Sequence, residues 1–295
     1  MPASPDAPQP IAGIGALAGD FDGFIVDQWG VVHDGATPYA GARECLESLK
    51  AAGKRVVMLS NSGRSNAANE ALMASMGFPR SLYHAFIAAG EDCRNAIASK
   101  ASRFHARLGK RCLAFTRDGE RKLLEGLGLT FVDRVENADF VAVIGIDSPR
   151  RSLADYEAEL RAARERGLPM VCANPDLVRF HEGRLVDAPG VLAHRYEALG
   201  GEVFWHGKPH APIYQSCLRV MEGITRERIV AVGDSLEHDV AGAASVGLPC
   251  AFVAGGVHAE ALSIRRGEMP SALALDALLR DALARPAYIV PAFVW

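Results

Sequence analysis

The 295-residue sequence lacks an excess of either charge: its formal net charge is −3, with 23% charged residues. Binding to nucleic acid or to an anionic membrane calls for a basic stripe, so neither partner is expected. Long apolar runs are missing too. The longest in the interior, Phe140–Ile146, falls far short of the ~20 residues of a spanning helix. A second apolar stretch, Ile11–Gly19, follows Asp6 and no Lys or Arg, the wrong charge for a secretory leader. Six cysteines stand far apart with no Cys-x-x-Cys pair, the usage of buried thiols in a reducing compartment and not of a disulfide framework. A soluble, cytoplasmic protein is expected. What is present in quantity is core material, with 49% hydrophobic residues, enough for two domains or one large one at roughly 100–200 residues each.

Residues 1–10 hold four prolines and read as a loose lead-in. Gly13-x-Gly15-x-x-Ala18 has dinucleotide-fingerprint spacing but precedes the first strand instead of following one, so no nucleotide cofactor is expected. From there strands and helices alternate. Gly23–Val26 reads as a buried strand. Ala42, Cys45, Leu46, Leu49 and Ala52 recur at helical spacing, and Arg55–Leu59 is the next strand. A helix through Ala67, Leu72 and Met76 and a strand at 84–88 follow. The middle predicts strands at 112–115, 130–132, 140–144 and 170–173, with helices at 118–126 and 152–166. The last third predicts helices at 191–199, 211–222, 237–246 and 272–284, and strands at 203–205, 229–232 and 248–253. Such alternation argues for a doubly wound α/β fold around a parallel sheet.

Open α/β sheets bind ligands at the carboxyl ends of their strands, and the distinctive polar residues fall there. Asp27 ends the first strand, Ser60-Asn61 the second, Gly207-Lys208-Pro209 precedes a late helix, and Gly233-Asp234 with Asp239 follows the strand at 229–232. Taken singly, each has an ordinary reading as a turn, a cap or a surface charge. Taken together and in order, they form a phosphoryl-transfer kit. Asp27 offers a nucleophile or hard ligand, and Asp234 a second carboxylate for Mg²⁺. Ser60 and Lys208 offer a hydroxyl and a cation for phosphoryl oxygens. Asp239 stands about one turn on, placed to orient Lys208 or a metal-bound water.

The order Asp27-x-x-Gly, Ser60, Gly-Lys208-Pro and Gly-Asp234-x-x-x-x-Asp239 resembles the haloacid dehalogenase superfamily. The long insert between Ser60 and Lys208, with Gly145-Ile-Asp147, Tyr156 and Cys172-Ala-Asn174-Pro-Asp176, resembles its class IIA, C2-capped phosphatases. The resemblance implies a core in two parts, 1–86 and 189–295, around an α/β cap at 87–188. It implies an aspartyl-phosphate on Asp27, phosphoryl contacts from Ser60 and Lys208 with Asn61 shaping the loop, and Mg²⁺ held by Asp27, the Trp29 carbonyl and Asp234. Substrate contacts from Asn174 and Asp176 would compete with a plain capping turn. The expected partner is a small phosphorylated metabolite.

One position departs from the pattern. The phosphatase branches carry a second Asp two residues after the nucleophile as acid and base; here it is Trp29. A backbone carbonyl can still hold a metal, but an indole exchanges no proton at neutral pH. His33, and behind it Asp34, are the candidate replacements. Three readings therefore compete: a Mg²⁺-dependent phosphohydrolase, weak on alkyl phosphates; a phosphometabolite-binding or regulatory protein with vestigial catalysis; and a hydrolytic dehalogenase, whose family members also carry an aromatic residue there. The apolar C-terminus, Tyr288–Trp295, is expected either to pack on the core or to form a homodimer contact.

Overall fold

Gly23–Asp27 and its neighbour Ile229–Gly233 are buried along their whole length, and Arg55–Ser60 is buried except at its two end residues. Strands covered on both faces read as continuous apolar runs, and parallel pairing follows. In the computed structural model, which describes residues 7–181 and 184–295, these three form the centre of a seven-stranded sheet. Across it run Gln9–Pro10, Tyr288–Val290, Cys250–Val253, Ile229–Gly233, Gly23–Asp27, Arg55–Ser60 and Ala85–Ala88. From Gly23–Asp27 the chain steps outward in one direction; from Ile229–Gly233 it steps outward in the other. The boundary between these two strands is the switch point at which such sheets leave a crevice.

The chain divides into two compact units. One runs to Ser60 and continues with Ala67–Ile87 and Lys208–Trp295; the other holds Asn61–Asn66 and Ala88–Gly207. The second unit has its own five-stranded parallel sheet, ordered Val203–Trp205, Met170–Cys172, Phe140–Val143, Arg111–Phe115, Thr130–Val132. A core on one side gathers Val141, Val143, Tyr156, Leu160, Leu192 and Tyr196. This unit extends to Gly207, past residue 188, because Val203–Trp205 pairs with Met170–Cys172.

Most expected elements lie within a residue or two of their predicted spans. The helix expected at 118–126 is reduced to a 3-10 turn at Lys122–Leu124. Asp118, Gly119 and Gly126 all have positive φ there, a left-handed backbone that ends a helix instead of building one. Among the elements not expected are the helices Ala89–Ser99 and Arg103–Ala106, the antiparallel hairpin Val178–His181 with Arg184–Asp187, and the strands Gln9–Pro10 and Tyr288–Val290. Of the proline-rich lead-in, residues 1–6 lie outside the described residues, while Gln9–Pro10 pairs with Tyr288–Ile289.

The C-terminal stretch packs on its own unit. The Ile14 amide donates to the Val294 carbonyl at 2.7 Å, and Phe293 is buried. A Cβ on Gly13 would lie 2.6 Å from the Trp295 carbonyl, and one on Gly15 would lie 3.1 Å from its ring. The glycine pair that imitates a nucleotide fingerprint thus makes room for the chain's own end.

In the second unit a hydrogen-bonded chain runs through buried histidines. Ser102 Oγ meets His105 Nδ1 at 2.8 Å, His105 Nε2 meets His206 Nε2 at 3.2 Å, and His206 Nδ1 meets Asp92 Oδ2 at 2.7 Å. One proton arrangement with both rings neutral serves every partner: Ser102 donates to His105, His105 to His206, and His206 to Asp92. Burial, with His206 alongside, lowers His105 to about 4. The unfolded state, near 6.5, therefore binds more protons between those values. The His105 contribution to stability is complete above pH 6.5 and is lost as pH falls toward 4. His33 and Asp27 change protonation in the same window, so the His105 share is read as a difference: in urea unfolding between pH 4 and 7, the stability gap between the wild type and His105→Gln should shrink as pH falls. An equal slope in the variant contradicts the assignment.

Candidate active site

The register places Asp27 at the switch point. Val26 pairs with Val232 on one side, and Asp27 itself with Leu59 on the other, so Asp27 stands beside Gly233 and next to the strand ending in Ser60. Lys208, the first residue of the returning core segment, donates from Nζ to Asp27 Oδ1 at 2.6 Å and to Asp239 Oδ1 at 2.7 Å. The other Asp239 oxygen accepts the Asp234 and Ser235 amides at 3.2 and 3.1 Å. A five-residue wide turn, Leu236–Val240, brings Asp239 back over Gly233, whose missing Cβ leaves the space. With both oxygens so engaged, Asp239 orients Lys208 and the Asp234 backbone.

Asp234 is fixed from the far side. Its Oδ2 accepts the Val257 amide at 2.7 Å. A Cβ on Gly256, or on Gly30 (φ +81°), would overlap its carboxylate, so both glycines are there for close approach. Sequence reading missed the Gly255–Val257 turn; a glycine pair just past the strand Cys250–Val253 was its one signal.

Asp27, Asp234 and Asp239 offer oxygens all within 4.8 Å of one another, and all three residues are buried. Three carboxylates face one ammonium. Burial pushes Asp27 up to about 7 against the pull of Lys208, and raises Asp234 well above the carboxylate range, with Asp27 and Asp239 adding repulsion. Burial disfavours the Lys208 charge, but Asp239 and Asp27 outweigh it and hold the amine protonated. A hard-oxygen cluster of surplus negative charge suits a small divalent cation such as Mg²⁺.

The loop after Asp27 reverses through Gly30. The Trp29 indole lies partly exposed and donates from Nε1 to the Asp34 carbonyl at 2.9 Å. His33 is buried, and its Nδ1 accepts the Gly35 amide at 2.9 Å, leaving the proton on Nε2. Burial lowers it to about 4, so it is neutral at pH 7. The Asp34 carboxylate accepts the Ala36 and Thr37 amides at 2.9 and 2.7 Å, which hold it below its usual range. The candidate proton donors of this loop are thus a neutral imidazole and an ionised carboxylate.

Asn61, Asn174 and Asp176 come together in the second unit. Asn61 Nδ2 donates to Asp176 Oδ1 at 2.8 Å, and Asn174 Oδ1 accepts the Asp176 amide at 2.9 Å. The latter bond is the turn-capping geometry open to these residues from sequence.

Fold and acidic switch-point cluster together define a two-unit α/β protein with a carboxylate–lysine centre. Haloacid dehalogenase-like hydrolase patterns match residues 24–130, and a related HAD hydrolase-like pattern matches 205–292. A crystal structure of a hydrolase of the haloacid dehalogenase-like family from Brucella suis 1330 is 30% identical, covering 96% of this chain and 100% of that one with a TM-score of 0.80. The protein belongs to the haloacid dehalogenase-like hydrolase family, and is an enzyme. Human glycerol-3-phosphate phosphatase is 28% identical over 263 residues, 82% of this chain and 81% of the relative. D-glycerol 3-phosphate phosphatase of Mycobacterium tuberculosis is 28% identical over 246 residues, and the chain spans 65% of its length. Among the described residues no helix is long and apolar enough to cross a membrane.

Proposed function

We propose that this hydrolase cleaves a small phosphorylated metabolite by Mg²⁺-dependent phosphoryl transfer to Asp27, the second unit acting as the cap that selects the substrate. The observation that carries the proposal is the convergence of three buried carboxylates and one lysine at the switch point. The relatives' names support a phosphate monoester. The surplus of carboxylates favours this reading over dehalogenation, which has no use for a cation.

Asp27, Asp234 and the Trp29 carbonyl would hold the ion. When bound, Mg²⁺ supplies charge neutralisation for phosphoryl oxygens. An Asp27 oxygen attacks phosphorus, the bond from phosphorus to the leaving oxygen breaks, and an aspartyl-phosphate forms. Water then cleaves it to inorganic phosphate. Lys208 holds the negative phosphoryl group, Ser60 at the end of the neighbouring strand is proposed as a hydroxyl donor to it, and Asp239 keeps Lys208 charged and aimed. Asn61 shapes the loop, and Asn174 and Asp176 are proposed for substrate contact through the cap.

Inorganic phosphate release from p-nitrophenyl phosphate tests the proposal. Activity should disappear in chelator and return on adding Mg²⁺; release that is indifferent to chelator overturns it.

A further inference from the structure

Arg266 lies far in sequence from Asp27, Lys208, Asp234 and Asp239, and three backbone carbonyls converge on its guanidinium. Nη1 donates to the Gly30 carbonyl at 2.9 Å and to the Gly255 carbonyl at 3.0 Å, and Nη2 donates to the Val31 carbonyl at 2.6 Å. The Tyr39 ring covers its face, 3.2 Å from Cζ to the ring centroid. A Cβ on Gly255 would lie 3.0 Å from the Arg266 backbone, so the glycine permits the approach.

One bridged segment carries two of the proposed cation ligands, and the other holds the third in place. Gly30 and Val31, three and four residues after Asp27, follow Trp29, whose carbonyl is a proposed ligand. Gly255 opens the turn whose Val257 amide holds Asp234 Oδ2 at 2.7 Å. The ladder between Gly23–Asp27 and Ile229–Gly233 stops at Val26 and Val232, short of both segments. We infer that Arg266 is a positioning residue for the cation site, a buckle that sets the separation between the Asp27–Trp29 loop and Asp234. Its planar fork serves two segments at once, which a lysine ammonium on a flexible stem does not reproduce. Partners that hold metal ligands in place typically carry about 10–100-fold in affinity. The inference rests on the cation reading under Proposed function, and its test keeps the two apart.

The measurement is Mn²⁺ binding without substrate, followed by the electron paramagnetic resonance signal of the free ion, together with melting of the chelated protein. The wild type should bind and Asp234→Asn should not; equal binding by the two sinks the cation reading. Arg266→Lys and Arg266→Met should each weaken Mn²⁺ binding at least tenfold, with the chelated proteins still melting cooperatively. Tyr39→Leu, which strips the ring face and leaves the guanidinium, should weaken it in the same direction and supplies the test if the Arg266 variants do not fold. Wild-type affinity in Arg266→Lys, or in Tyr39→Leu when that variant stands alone, overturns the inference while leaving the cation reading intact.

Discussion

Asp27→Asn should lower turnover of p-nitrophenyl phosphate by about 10⁴-fold or more, because a carboxamide of the same shape cannot attack phosphorus. That factor corresponds to a barrier increase of about 5 kcal/mol. The variant should still fold. Lys208 keeps its bond to Asp239 at 2.7 Å, and the strand Gly23–Asp27 keeps its ladders on both sides. Burial and Asp239 already oppose the charge on Asp27, so removing it relieves crowding as well as removing the nucleophile. Phosphate release at the wild-type rate, with the substitution verified, would refute the mechanism.

The second large effect concerns the leaving group. A positioned general acid contributes about 10²–10⁴-fold, and the loop after Asp27 offers none. The Trp29 indole is committed to the Asp34 carbonyl, His33 is neutral at pH 7, and Asp34 is ionised. Rates across a series of phosphate esters should therefore climb steeply as the leaving oxygen becomes more acidic, aryl esters far exceeding alkyl ones. Trp29→Asp should raise alkyl-phosphate turnover by about 10²-fold and flatten that series. A flat series in the wild type would show that a proton arrives from elsewhere. His33→Gln should matter little to the slope, since the ring it removes has no acidic proton at neutral pH.

The core was legible where local pattern and burial agree. Gly23–Val26 is apolar throughout because both faces of its sheet are covered, so the polar Asp27 that ends the strand announces a site. Lys208 and Asp239 were recognisable from their order along the chain, but their joint grip on the Asp27 centre is a property of the folded switch point. The helix Ala89–Ser99 was missed although Cys93, Ala96 and Ile97 are spaced for it and Glu91 and Asp92 occupy its first turn. The segment 118–126 failed for the opposite reason: its leucines suggested a helix while its glycines took up left-handed turns. Arg266 left no trace in the pattern, since a guanidinium reading three carbonyls looks like any other surface arginine until the loops close around it.

The discontinuity of the core unit also has a bearing on how the protein is made. Residues 88–207 form one uninterrupted stretch, whereas the unit bearing Asp27 awaits Lys208, Asp234 and finally the strand Tyr288–Val290 and the indole that settles on Gly15. On the ribosome the inserted unit can therefore complete itself while the edge of Gly23–Asp27 that later pairs with Ile229–Gly233 is still open, an apolar edge within reach of chaperones.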